Sequence, residues 1–251
     1  MSGLLMSASG AADHGGKRLA ATAFVSAFLS TAVGLAIGSA WLLPVLNVLG
    51  VYPVYLRLIL KGRLRQAVAV ALLWALFLSQ AVIIATCLFP QRSQRVTLIG
   101  AEYRNEMFEW VRTGQGEESS PRLFIPVHVR DFAIFAAVSF ATGGLGGLFM
   151  GAVLLNYMNF YVGSLVVAAR HPVLTALFGW QPYAIIRVIS YILVATALAA
   201  AFWALLGRRR MPRGLGRYGA CGVTGVMLDV LLKWLIAPAW SALLRWTTGL
   251  V

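Results

Sequence analysis

The sequence predicts an all-α, polytopic membrane helical bundle of five to six transmembrane helices with one extramembrane loop. Three observations predict it. Sixty per cent of the 251 residues are hydrophobic and only 12% are charged, a balance foreign to ordinary soluble domains. Several apolar runs reach the roughly 20 residues that a helix needs to cross a bilayer. A β-barrel would instead show alternating segments of about 10 residues. Finally, the tract from Phe132 to Ala169 contains no charged residue. As one helix it would reach about 57 Å at 1.5 Å per residue, against a hydrocarbon layer of about 30 Å. It must therefore leave the membrane, fold back as a hairpin, or combine a crossing with a re-entrant piece.

Residues 1–18 are mostly small or polar and read as a disordered N-terminal tail, and residues 19–251 as a single transmembrane bundle. Lys17-Arg18 precedes an apolar stretch too long for a signal-peptide core, so the first span is expected to stay attached. The expected spans are Leu19 to about Leu43, Ala67 to Phe89, the Phe132–Ala169 tract, Tyr183 to Leu206, and about Ala220 to Leu244. Between the first two, Tyr52 to Gln66 mixes Arg57, Lys61, Arg63 and Arg65 with leucine and isoleucine, which suggests an interfacial segment. The polar loop 90–131 balances six arginines against six acids. Within it Glu102, Glu106 and Glu109 share one helical face beside Tyr103, Met107, Trp110 and Val111, which predicts a short amphipathic helix.

The net charge is +13. It clusters at span ends, so it is read as orientation and contact with membrane lipids, not nucleic acid binding. The linkers 57–65 and 208–217 are strongly basic, and the positive-inside rule places both in the cytoplasm. That needs the Phe132–Ala169 tract to cross twice and the N-terminus to lie outside. Lys17-Arg18 argues for the opposite side and for five crossings, so parity stays open between five and six.

Several residues stand out within apolar runs. Asp229 and Lys233 are four apart in the last span and can pair along one helical face; charges at membrane depth are costly and mark function by default. Arg187 lies one turn into its span, where it either reaches back to the interface or meets Asn156, Asn159 or Asp229. Asn156 and Asn159 share a face and need partners across helices. Small residues recur at helical spacing in Gly143, Gly147 and Gly151, and in Ser30, Gly34 and Gly38, two faces suited to close packing within the chain or against another subunit. Glu102, Glu106 and Glu109, with His128 and Asp131, form the one set that a divalent metal could use, although a solvated polar face is the simpler reading. Cys87 and Cys221 lack metal or disulfide spacing. No motif nominates a nucleophile with its base, and nothing calls for a cofactor.

The segment 132–206 resembles the stage II sporulation protein M-like integral membrane family. The resemblance lies in the glycine-rich Thr142-Gly143-Gly144-Leu145-Gly146-Gly147, in Asn156-Tyr157-Met158-Asn159 followed by Gly163, and in Gln181-Pro182-Tyr183 opening the next span. It implies a helical bundle and a non-enzymatic membrane component working with partner proteins. The expected function is accordingly that of a non-enzymatic scaffold or subunit of a membrane assembly, built from contacts with other membrane proteins or with itself. The alternative is a small transporter or permease subunit with a charged intramembrane site. The expected location is the plasma (inner) membrane of a prokaryote.

Overall fold

The computed structural model describes residues 2–208 and 210–250, with side chains from Gly16 onward. It is an all-α bundle. The helices are α1 (Ser2–Ile37), α2 (Leu42–Leu49), α3 (Tyr52–Leu60), α4 (Leu64–Leu88), α5 (Pro90–Val96), α6 (Gly100–Thr113), α7 (Pro121–Ala141), α8 (Leu145–Ala168), α9 (Pro172–Phe178), α10 (Pro182–Leu205) and α11 (Leu215–Thr248). A 3-10 turn, Glu117–Ser119, joins α6 to α7. Helix α1 is continuous back to Ser2, so its start precedes the Leu19 expected for the first span. The tail expected over 1–18 lies almost wholly outside the described side chains.

Among the described residues, six helices are long and apolar enough to cross a membrane: α1 from Gly16, α4, α7, α8, α10 and α11. The chain is a multi-pass membrane protein. The long charge-free tract resolves into a hairpin. It turns at Gly143 (φ 59°) and Gly144 (φ 95°), left-handed conformations that glycine adopts without strain. Helix α7 starts at Pro121, earlier than Phe132, so the end of the expected 90–131 loop is helical and belongs to the span.

Most of the segment 52–66, expected to be interfacial, is helical and begins with α3. Helices α2 and α3 form a pair bent by 44° that together is long and apolar enough for a seventh crossing. Tyr55, Leu58 and Ile59 face the core, while Arg57 and Lys61 lie in the last turn and just beyond it. Helix α2 runs back along α1, with Leu43 against Gly34 and Gly50 against Ser26. Tyr55 of α3 then reaches the far end of the bundle beside Gly144, donating a hydrogen bond to Thr196 Oγ1 (3.1 Å).

Contacts set the other directions. Helices α4 and α8 run parallel, Ser79 meeting Asn159 and Thr86 meeting Gly163. Helix α7 runs parallel to α10, Phe135 meeting Tyr191 and Phe140 meeting Phe202. Helices α10 and α11 are antiparallel, with Ser190 at Gly225 and Val194 at Gly222. With α2–α3 as a crossing, Lys17-Arg18, the 57–65 linker, the 142–144 turn and the 208–217 linker share one face, and no acid occurs in residues 16–65 or 206–217. Helices α5, α6, α9 and the C-terminal end of α11 share the other, where all the loop acids lie. Arg170 and His171 backbone amides there donate to the Thr248 and Thr247 carbonyls.

Candidate functional site

Four elements bring the intramembrane charges together near the acidic face. Arg187 on α10 grips Asp229 on α11 with two hydrogen bonds, Nε to Oδ2 at 2.8 Å and Nη2 to Oδ1 at 3.1 Å. Asp229 is wholly buried. The fork of a guanidinium matches the two carboxylate oxygens, and such charge-assisted bonds are the strong kind. Lys233, one turn further along α11, does not pair with Asp229 as its i,i+4 spacing suggested. Its Nζ donates to Glu118 Oε1 at 2.7 Å, on the turn between α6 and α7, and stands 4.7 Å from the centre of the Phe124 ring. Tyr183 donates to the second Glu118 oxygen at 3.1 Å. The two buried cations thus have separate acids, one from a helix and one from a loop.

His128 on α7 completes the cluster. Its Nδ1 lies 3.0 Å from the Phe124 carbonyl, which makes that nitrogen the protonated donor. Its Nε2 is buried 3.9 Å from Asp229 Oδ2 and makes no hydrogen bond. Glu118 and His128 complete this site although the sequence named neither as a partner of Lys233 or Asp229. Both come from the 90–131 stretch, where charge reads as solvated loop.

A cleft of ≈ 650 Å³ opens beside these groups between α6, α7 and α8. Arg187 and Lys233 form part of its wall, Glu106, Glu117 and Asp131 stand toward its mouth, and Tyr103, Tyr157 and Tyr191 line its sides. Burial and the neighbouring Glu117 and Glu118 push the Glu106 carboxyl above its ordinary range near 4.5. Beneath the cleft is a nearly apolar void of ≈ 30 Å³ between Tyr55, Trp74, Leu148 and Ile192. Cleft and void share Phe135, Gly151, Leu154, Arg187 and Tyr191 as walls, so they abut.

Asn156 and Asn159 are buried on α8, apart from the charge cluster. Asn159 Nδ2 donates to Ser79 Oγ (3.1 Å) and to the Leu155 carbonyl (2.6 Å), and its Oδ1 accepts from Trp180 (2.9 Å). Asn156 Oδ1 accepts from Asn47 Nδ2 (3.0 Å), whose own oxygen accepts from Ser30 Oγ (2.8 Å). Trp74 donates to the Asn47 carbonyl next to the α2–α3 bend (3.0 Å). Both amides therefore tie helices together. Neither contacts Arg187.

The small-residue rows are largely used inside the chain. A side chain at Gly147 would strike Ser139 and press on Ala195, and one at Gly34 would strike Leu43. Gly143 belongs to the hairpin turn and Gly38 (φ 78°) ends α1, so neither extends a helical face. Gly151 faces open space in the cleft wall. The three glutamates of α6 do not converge: Glu109 pairs with Arg112, Glu106 turns to the cleft, and among the described residues no group of three potential ligands stands together. Comparisons with protein-family models, with curated proteins and with solved structures find no match to this chain.

Proposed function

We propose that this chain is a small transporter or permease subunit of a prokaryotic plasma membrane, with its substrate site in the cleft beside the Arg187–Asp229 and Glu118–Lys233 pairs. One observation carries the reading: a cleft walled by buried charges abuts a small apolar void, about 30 Å³, that is bordered by Tyr55. Concave sites with a few convergent polar groups are where ligands bind, and charged groups at membrane depth line substrate pathways. The bent pair α2–α3 adds support, since interrupted helices recur at transporter midplanes. Of the features that favour a scaffold, the small-residue rows at Gly34 and Gly147 are taken up by packing inside the chain.

The charge distribution orients the protein. With seven crossings, both basic linkers and Lys17-Arg18 lie together in the cytoplasm, and the parity conflict in the sequence disappears. The cleft then opens outward. The test is metabolite uptake: proteoliposomes with the native chain and with Asp229→Asn are incubated with a cell extract and their contents compared by mass spectrometry. A solute enriched by the native chain alone supports transport; contents equal to those of protein-free vesicles end it.

A further inference from the structure

We propose that the outward cleft binds an organic cation, an ammonium group carrying a short apolar chain. This deepens the transport reading and rests on it only for the translocation step, not for binding.

Charge is the first argument. Of the groups on and behind the cleft wall, Arg187 is matched by Asp229 and Lys233 by Glu118. That leaves Glu106, Glu117 and Asp131 as surplus acid in one cavity. Among the described residues Asp131 pairs with its solvent-exposed neighbour Arg130, a contact too wet to neutralise it. The chain's buried cations are therefore already satisfied, and the unmet demand is for positive charge.

The walls are the second. Tyr103 and Tyr157 meet in a tilted contact, 4.6 Å between centroids, and Phe135 packs on Tyr191 at 4.4 Å. Ring faces attract cations, most of all weakly hydrated quaternary ones. The protein shows the same chemistry at the inner end of the cleft, where Lys233 holds its ammonium between a carboxylate and the Phe124 ring. A third argument sets the kind of cation. A hard divalent ion needs converging oxygens, and here the carboxylates stand apart, with no group of three ligands among the described residues. An ammonium on hydrocarbon instead matches dispersed acids, tyrosine faces and the apolar Leu154 and Val153. Gly151, with nothing within 4 Å of its missing side chain, leaves room for that chain.

The test uses the full-length protein in phosphatidylglycerol nanodiscs, titrated with hexyltrimethylammonium, hexanol and hexanoate while the unfolding midpoint is tracked. Hexyltrimethylammonium is expected to raise the midpoint saturably, hexanol and hexanoate not. Glu106→Gln with Asp131→Asn is expected to weaken the half-saturation at least tenfold. Equal responses to all three probes, or an unchanged double variant, overturn the proposal. Should the double variant not fold, the native series decides alone. Replacing half the lipid by phosphatidylethanolamine separates the two sources of such a group. A raised half-saturation identifies the lipid headgroup as ligand, and an unchanged one a free amine. Uptake of labelled hexyltrimethylammonium into proteoliposomes is measured beside it. Binding without uptake keeps this site and removes transport, whereas uptake of other solutes without binding removes this site alone.

Discussion

Arg187 and Asp229 meet across α10 and α11 in a two-pronged ion pair, with the carboxylate wholly buried and the guanidinium side chain only 13% exposed. Taking either partner away strands a charge in a low-dielectric interior, a loss of about 3–5 kcal/mol. Asp229→Asn is thus expected to destabilise the protein by that order, measured as a lowered unfolding midpoint in detergent. Adding Arg187→Gln to Asp229→Asn should recover most of the loss, because the stranded charge goes too. If the double variant is as unstable as the sum of the singles, the two residues do not act as one unit.

The Glu118–Lys233 bond anchors the 114–120 connection to α11 from outside the helix bundle. Glu118→Gln weakens a hydrogen bond to a charged group, worth about 1.5–3 kcal/mol. Its effect is expected to be local, with faster amide exchange across 114–120 and little change in α4 or α8. Uniformly faster exchange throughout the bundle would show that the 114–120 connection is not a separate unit.

How far this site was legible depends on the range over which each residue acts. A charge inside an apolar run announces itself, so Asp229, Lys233 and Arg187 stand out from the sequence alone. Their partners do not, because the local i,i+4 rule joins Asp229 to Lys233, while Glu118 lies 115 positions away in sequence. The hairpin was readable as one of several outcomes, since a charge-free tract longer than the bilayer must break and Gly143-Gly144 is where it can. The early start of α7 was not: Arg122, His128, Arg130 and Asp131 look like loop. In the fold, His128 and Asp131 line the cleft, and Arg130 is exposed. Nor was the bent α2–α3 pair, because Arg57, Lys61, Arg63 and Arg65 suggested an interface. Those cations gather at one end of the segment, and the buried Tyr55, Leu58 and Ile59 occupy the rest.

Gly147 separates internal packing from assembly. A leucine there has to displace Ser139 and Ala195, so α7, α8 and α10 are pushed apart. Overpacking of this kind costs about 1–3 kcal/mol. Gly147→Leu is expected to lower the unfolding midpoint of the isolated chain, whereas Gly151→Ala, facing open space, should not. A Gly147→Leu protein with native stability that fails only to assemble would restore the packing-face reading from the sequence.

Sidedness can be read with single cysteines. With Cys87 and Cys221 changed to serine, Gly16→Cys and Arg63→Cys should react with an impermeant maleimide only from the cytoplasmic side. Glu117→Cys should react only from the outer side. The decisive comparison is Gly16 against Arg63: reaction from opposite sides would mean that α2–α3 does not cross.

The raised Glu106 pKa gives the cleft a pH response with a definite sign. In the fold its carboxyl is held above its ordinary value near 4.5 by burial and by Glu117 and Glu118. Folding therefore favours the protonated form. The stabilisation that comes from keeping the proton is fully present below the ordinary value and is lost as pH rises through the raised one. Ionisation above that value also supplies the charge that an ammonium would need. Stability of the empty protein is expected to fall across this window while affinity for hexyltrimethylammonium rises. Glu106→Gln should flatten both profiles, measured as unfolding midpoint and half-saturation from pH 4 to 8. If affinity falls along with stability as pH rises, Glu106 contributes to stability but not to the cation site.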